Sequence, residues 1–556
     1  MPCKSRNGSV FMTNSTQADS FTFDYVIAGA GTAGCVLADR LTEDGKHSVL
    51  LLEAGPRDSM ELLHVPAGFN YVAFDPRVIW DYRTQPEPAL GGRQIAYMRG
   101  RVLGGSSSIN AMVHVRGNPA DYDGWAGEHG CKGWSWSEVL AHFKRSERHA
   151  RGESELHGAG GPVPVTRAPG HAACDVFIES MVQAGVPPSD DFDGPHQEGA
   201  GYYHQPVERG RRMSAARTYL KRARQRPNLT VLTDAVVQRL VFEGTRAAGL
   251  VLRQGSGPVQ TATARREVIL SAGTIGSAQI LELSGIGDAA RLQALGIAVR
   301  AHNPGVGENL QDHYQAPVVM GVTGLQTLNR YASGPALMGQ ILRYYLKQDG
   351  LLASNAAPAG GFLRSSPDVP RPDLQILFAP GALDPSKYPR RLARQPGVTA
   401  IMCPLAPRSR GHTHICSKDA AVHPDIAGHY MDHAYDRAMM LTGLRWVRRF
   451  FAQPAWSGYA AAELAPGAQL QSDDDLLAFC RLKGDSVHHP VGSCRMGADA
   501  GSVVDTALRV RGVQGLRVID ASIMPRIIAG NTNAATLMIA EKGSQLVRES
   551  TGSLTP

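Results

Sequence analysis

His488 and His489, followed by Pro490, are the residues of this chain best suited to moving a proton. Imidazole titrates near neutrality, so it can accept a proton and return it at physiological pH. On residue type alone the pair reads equally as packed or solvent-facing side chains, because the chain holds 19 His. A metal centre is not implied: adjacent side chains diverge, and no third ligand stands at a suitable spacing. A hydrolytic serine would sit in a G-x-S-x-G elbow after a strand, and Gly104-Gly-Ser-Ser has a different pattern. Asn533, in the loop Gly530-Asn-Thr-Asn, offers an amide to an oxygen or simply shapes a turn.

A second group of residues points to a dinucleotide. In Gly29-Ala-Gly-Thr-Ala-Gly34, Gly29 permits a tight turn, Gly31 lets backbone approach a pyrophosphate, and Gly34 lets a helix pack close to its sheet. The phosphates then meet free N–H groups around Thr32 and Ala33, at the positive end of the helix dipole. Glu53 lies a little over twenty residues on, where an acid accepts hydrogen bonds from a ribose. An acid there argues against a 2′-phosphate, hence against NADP. The turn does not separate NAD from FAD. Asp520 does more, because it follows the strand Leu516–Ile519 and would return to the carboxyl edge of the same sheet. An acid in that place suits the ribityl–phosphate chain of FAD.

These residues need elements to hold them. Phe23–Ala28 is a mostly apolar run of the kind found in buried parallel strands. Cys35–Leu41 has helical spacing, and Ser48–Leu52 is a second buried strand ending at Glu53. Together they open a βαβ unit. Residues 160–210, rich in Pro, Gly and His, carry little periodicity. Strands return at Leu229–Leu232, Val236–Phe242, Gly249–Arg253 and Glu267–Ser271, and Gly273–Leu283 reads as a helix leaving a strand. Residues 311–470 show no nucleotide motif. Thr536–Val547 is a helix by its period.

Bulk properties bound the answer. A chain of 556 residues exceeds the size at which one core stops growing, about 250–300 residues. Net charge is +7, but the clusters Arg209–Arg212 and Lys221–Arg226 are short and lack the aromatic interleaving of a nucleic-acid binder. The basic balance leaves room for contact with an anionic membrane surface. No apolar run reaches the length of a transmembrane helix. The 8 Cys form no C-x-x-C pair and read as reduced residues of a cytoplasmic protein. Residues 1–22 read as a loose polar tail without a signal-peptide core.

Six blocks in order carry a family resemblance. Gly100-Arg-Val-Leu-Gly-Gly-Ser-Ser-Ser-Ile-Asn110 resembles the first signature of the glucose–methanol–choline (GMC) oxidoreductases. Ser271–Gly276 running to Leu283–Gly287 resembles the second. Pro304–His313, His489–Gly497, Asp520–Pro525 and Gly530–Ala534 agree as well. The resemblance implies FAD cradled by Arg101, Gly104 and Gly105, with Asn110, Ala111, Met112 and Val113 along the isoalloxazine edge. It implies Val237 at the adenine, Asp520 and Ala521 at the ribityl chain, and Asn531 and Thr532 at the flavin end. Members with covalent FAD carry His where this chain has Ile109, so FAD is expected to be non-covalent. No role transfers to His114, where many relatives have Tyr, and Ala278 replaces a common Pro at a helix start. The family pattern makes His489 the catalytic base and Asn533 the residue that orients the substrate oxygen; His488 would pack near the flavin.

The expectation is therefore FAD-dependent oxidation of a small-molecule alcohol to an aldehyde, with an acceptor such as a quinone or dye. Oxygen as acceptor, a non-redox lyase of the same family, an NAD enzyme and an electron carrier are the alternatives. The expected fold is α/β: a Rossmann-like FAD domain from 23–160, 211–310 and 471–556, with an interleaved substrate domain of mixed or antiparallel sheet and helices from 161–210 and 311–470. The protein is expected in the cytoplasm, with peripheral contact to the inner membrane open.

Overall fold

The computed structural model describes residues 20–384 and 391–552. A seven-stranded sheet runs in the order Leu229–Leu232, Val49–Leu52, Ser20–Ala28, Val259–Leu270, Arg246–Gln254, Ala235–Glu243, and Leu516–Val518 pairs with Val259–Leu270 off that path. The three strands before and around the Gly-rich turn are parallel, as is the pairing of Leu516–Val518. Val49–Leu52 is buried at every residue, as a strand covered on both faces must be. The pairings of Val259–Leu270 with Arg246–Gln254, and of that strand with Ala235–Glu243, are antiparallel. The first strand begins at Ser20, three residues before Phe23, because Ser20–Thr22 find partners at Thr261–Thr263. Residues 20–22 are thus sheet and not tail, and residues 1–19 lie outside the described residues.

The helix Thr32–Thr42 leaves the first strand and is buried along its length. The C-terminal helix Asn533–Gly552 lies against it. Arg40 forks onto Glu541 at 2.9 and 2.8 Å, and Tyr219 donates to the same carboxylate at 2.7 Å. A buried charge is tolerated only when paired and hydrogen-bonded in this way. The N-terminal turn is therefore braced by residues five hundred positions away.

A second sheet is antiparallel throughout, in the order Ala460–Ala465, Tyr314–Val322, Gly397–Pro404, Leu374–Ala379, Ala359–Leu363, Gly199–Tyr202. Helices Ala172–Gln183 and Ala434–Phe451 cover it, and Phe177, Phe378, Phe450 and Met402 lie in their shared core. The short strand Asp485–Ser486 pairs with Tyr314–Gln315. That pairing carries the chain from the second sheet into His488 and His489.

Candidate active site

One cavity of about 1440 Å³ runs from the Gly29–Gly34 turn to His489. At its nucleotide end, Gly29 has φ +97° and a Cβ there would lie 2.5 Å from the Ser271 carbonyl oxygen. A Cβ on Gly34 would meet the Gly29 oxygen at 1.9 Å. Gly31 differs: its φ is −72°, and a Cβ would meet only Gly105 Cα, at 3.9 Å. The protein itself does not demand glycine at 31, and the space above it is what a pyrophosphate fills. The helix starting at Thr32 has no side-chain cap and no acid in its first turn, so its N-terminal amides remain for an anion. Glu53 is buried and accepts from Ala30 N at 3.0 Å and Gly55 N at 2.9 Å. Burial pushes its carboxyl up to about 7. A ribose donating to that carboxylate would favour the ionised form.

At the other end, segments 310–313 and 487–491 pair across the chain: Gln311 N donates to Val491 O and Val487 N to His313 O. Asp312, fully buried, accepts from Tyr430 OH at 2.6 Å, from Ser486 OH, and from His489 N at 2.8 Å. These bonds hold the His489 backbone in place. His489 is buried, and desolvation, reinforced by His313, His488 and Arg99, holds its imidazole well below the usual histidine range. His489 is therefore neutral at pH 7.

Its tautomer follows from its neighbours. His313 Nε2 lies 3.2 Å from the Leu405 carbonyl oxygen, which can only accept, so Nε2 carries the proton. Burial lowers His313 to about 4, so its Nδ1 is bare. His489 Nδ1 lies 3.1 Å from that nitrogen and must donate to it. The lone pair of His489 is then on Nε2, and Asn531 Nδ2 donates to it at 3.1 Å. The amide is fixed because Gln375 Nε2 donates to Asn531 Oδ1 at 3.1 Å. The result is a neutral, oriented base with its lone pair on the cavity side of the ring.

Most of the residues expected at the site line this cavity: Gly29, Gly31, Thr32, Ala33, Glu53, Gly105, Asn110 to Val113, Val237, Asp520, Ala521, Asn531, Thr532, Asn533, His488 and His489. Three do not. Gly34 is buried beneath the turn, Gly104 (φ +88°) donates its N–H to Ala30 O at 2.8 Å, and the Arg101 guanidinium lies over the Trp80 ring at 4.9 Å. They shape the wall from behind. Asp520 is occupied by Gly273 N, Ser277 OH, and the Ser522 N–H and OH, and so ties the end of one strand to the start of helix Gly273–Leu283. Asn533 Oδ1 accepts from Thr32 OH at 2.8 Å, and the amide in contact with the imidazole is that of Asn531.

Family models described as GMC oxidoreductase match residues 23–315 and 407–540. An oxygen-dependent choline dehydrogenase of Ectopseudomonas mendocina is 42% identical over 541 residues, covering 95% of this chain and 94% of that one. The chain belongs to the GMC oxidoreductases. An alcohol dehydrogenase [acceptor] of Pseudomonas putida is 39% identical over 94% of this chain and 95% of its own. Among solved structures, pyridoxine 4-oxidase from Mesorbium loti aligns with TM-score 0.85 and 30% identity over 95% of this chain and 99% of that one. An FAD-dependent oxidoreductase from Chaetomium thermophilum aligns with TM-score 0.87 and 27% identity, over 95% and 100%. This GMC oxidoreductase is accordingly an FAD-dependent enzyme acting on CH–OH groups.

Asp312 and His313, which contact His489, and Gln375, which contacts Asn531, carry no motif that singles them out in the sequence. The first two stand inside the Pro304–His313 block, which marked the place but not the role. Arg212 was also missed. It reads in sequence as part of a surface charge cluster, yet it is 1% exposed and donates to Asn110 Oδ1 at 2.7 Å and Ser107 O at 3.2 Å, beneath the expected flavin edge. Elsewhere among the described residues, His149, Asp191 and His204 bring metal-ligand atoms within 4.8 Å of one another, but Asp191 is already paired with His157 at 2.8 Å.

Proposed function

We propose that this enzyme oxidises an uncharged, mostly apolar primary alcohol to its aldehyde, with His489 as base, non-covalent FAD as oxidant and a quinone-type acceptor. The observation that carries the proposal is the ordered chain Leu405 O–His313–His489–Asn531, which leaves one basic nitrogen facing the cavity. FAD, when bound, would supply the acceptor for the hydride of the carbinol carbon. The substrate hydroxyl displaces the Asn531 amide from His489 Nε2 and gives that nitrogen its proton. The displaced Asn531 N–H then points at the same oxygen, and Asn533, two residues on, lines the wall beside it. The charge gained by His489 is shared with His313 through the Nδ1 contact. Gly31, the uncapped helix at Thr32 and Glu53 would hold the nucleotide half, and Asn110–Val113 the ring.

Ile109, buried on the cavity wall, offers no atom for a covalent link to flavin. Acid precipitation should therefore leave all flavin in the supernatant. The segments 23–160, 211–310 and 471–556 are proposed as the cofactor-binding domain, and 161–210 with 311–470 as the substrate domain.

The substrate class follows from the walls. Leu328, Leu337, Leu351, Leu377, Leu383 and Ile401 line the cavity. Among the described residues, the acids on its wall are already engaged: Asp349 pairs with Arg343, Asp520 is saturated, Asp485 accepts from Ser486 N, and Glu53 is at the nucleotide end. Arg99, close enough to lower the His489 pKa, adds positive charge beside the base. Anaerobic mixing of the holoenzyme with 1-octanol, benzyl alcohol and choline tests the reading. Fast bleaching of the flavin by the first two supports it; a flavin that stays yellow with every alcohol, or bleaches fastest with choline, overturns it. We further propose a cytoplasmic enzyme that meets its acceptor by peripheral contact with the inner membrane, a reading supported by its net charge of +7.

A further inference from the structure

Among the described residues, nothing covers the apolar face of the helix Gly334–Lys347. Of its 14 residues only Tyr344 is buried. Met338, Leu342, Tyr345 and Leu346 are 62%, 60%, 56% and 73% exposed. Their spacing places them on one side of the helix. Tyr71, 70% exposed, and Leu62, 42% exposed, lie in the adjoining corner, where Val65 packs on Tyr344 and Ala353. Six of the nine large apolar side chains exposed among the described residues thus share one corner of the molecule. Single exposed apolar residues are ordinary; a cluster on the outer side of one helix marks something that covers it.

Two further features identify the cover. The first is charge. Arg330 and Lys347 stand exposed at the ends of the helical segment, Arg343 is on the helix, and Arg211 and Arg217 lie beside Tyr344. Against these five cations stand Glu61, Asp58 and Asp349. The second is position. Leu337, Gln340, Arg343 and Tyr71 line the same cavity that ends at His489, so this corner is its rim. An apolar strip rimmed by cations suits the headgroup–acyl boundary of an anionic bilayer. A second copy of the chain suits it less: a two-fold contact would set the same cations against each other.

We propose that the helix Gly334–Lys347, with Tyr71 and Leu62, docks on an anionic lipid bilayer and opens the cavity toward it. Apolar alcohols and a lipid-soluble acceptor would then enter without crossing water. The proposal rests on the reading of the acceptor given above and adds the surface that meets it.

The test uses purified holoenzyme with sedimented vesicles of phosphatidylcholine, alone or mixed with phosphatidylglycerol. The intact enzyme should sediment with the mixed vesicles and stay in solution with the neutral ones. Replacing Leu342→Glu and Leu346→Glu together should lower binding about tenfold or more. Leu482→Glu, on another helix and 64% exposed, should leave it unchanged. Circular dichroism and dye-linked turnover report that the double variant is folded, since neither leucine lines the cavity. Equal binding by the double variant overturns the proposal, as does equal binding to neutral vesicles. So does a dimer in size-exclusion chromatography that the double variant abolishes. Loss of dye-linked turnover with every alcohol in the intact enzyme would strike at the alcohol-oxidation reading instead, and leaves vesicle binding to be judged separately.

Discussion

A histidine must be unprotonated to act as a base, and His489 is kept so chiefly by burial, with the Arg99 charge acting in the same direction. Its pKa lies below 6.5 in the folded enzyme, so kcat/KM should stay flat from pH 8 down through 6.5 and fall only under more acidic conditions. A decline centred near 6.5 in a stopped-flow bleaching series would contradict the assignment. His489→Ala should slow anaerobic bleaching by about 10²–10⁴-fold, the range for a lost general base, with FAD still bound. The two asparagines divide by what they touch. Asn531→Ala removes the donor on Nε2 and should lower kcat, whereas Asn533→Ala frees Thr32 at the phosphate end and should weaken FAD retention. Equilibrium dialysis of FAD beside steady-state rates separates them; the reverse pattern returns the orienting role to Asn533. In the sequence His489 was legible as a base only through its block. The choice between Asn531 and Asn533 was not legible, because it depends on how the Gly530 loop turns and on Gln375, which lies 156 positions away from Asn531.

Glycines at the turn serve different masters. Gly34 is required by the fold, since any Cβ would strike the Gly29 carbonyl, whereas Gly31 is required only by what lies above it. Gly34→Ala should therefore yield a protein that folds poorly with or without cofactor. Gly31→Ala should give a folded protein with FAD affinity weakened by about 1–3 kcal/mol, the cost of overfilling a tight site. Thermal melts of the apoprotein with flavin titration distinguish the two, and a shared folding defect would refute the distinction. Secondary structure around this turn was readable, because a parallel strand buried on both faces is a short apolar run and a buried helix announces its period. Leu229–Leu232 and Gly273–Leu283 have the bounds expected from sequence. The long strand Val259–Leu270 was seen only at its end, as its outer half alternates polar and apolar residues in an antiparallel ladder. The exposed helix Gly334–Lys347 was not picked out, since its apolar residues face away from the chain's own core.

Across the whole molecule, several imidazoles are folded in without charge. Burial holds His114 near 3 and His142, His149 and His313 near 4. In the unfolded chain each would bind a proton from about pH 6.5 downward. Their contribution to stability is whole above that pH and drains away as the pH falls toward 4. His157, raised to about 9 between Asp191 and Glu147, works in the opposite sense: its contribution is whole below 6.5 and is lost as the pH rises through 9. The apoprotein melting temperature should thus drop by about 5 °C or more from pH 7 to pH 5. A flat profile there would mean these rings are hydrated in solution. Such long-range burial is invisible in a linear chain, as is the ion pair between Arg40 and Glu541. That brace has a consequence in time. Synthesis runs from the N-terminus, so the Gly-rich turn emerges well before its supporting helix, its neighbouring strand and the His489 imidazole. A nascent chain stalled before residue 516 would present the turn with neither Leu516–Val518 beside it nor Glu541 behind it. Cofactor capture should begin only once residues 516–541 have been made, and stalled chains labelled with fluorescent flavin would reveal any earlier uptake.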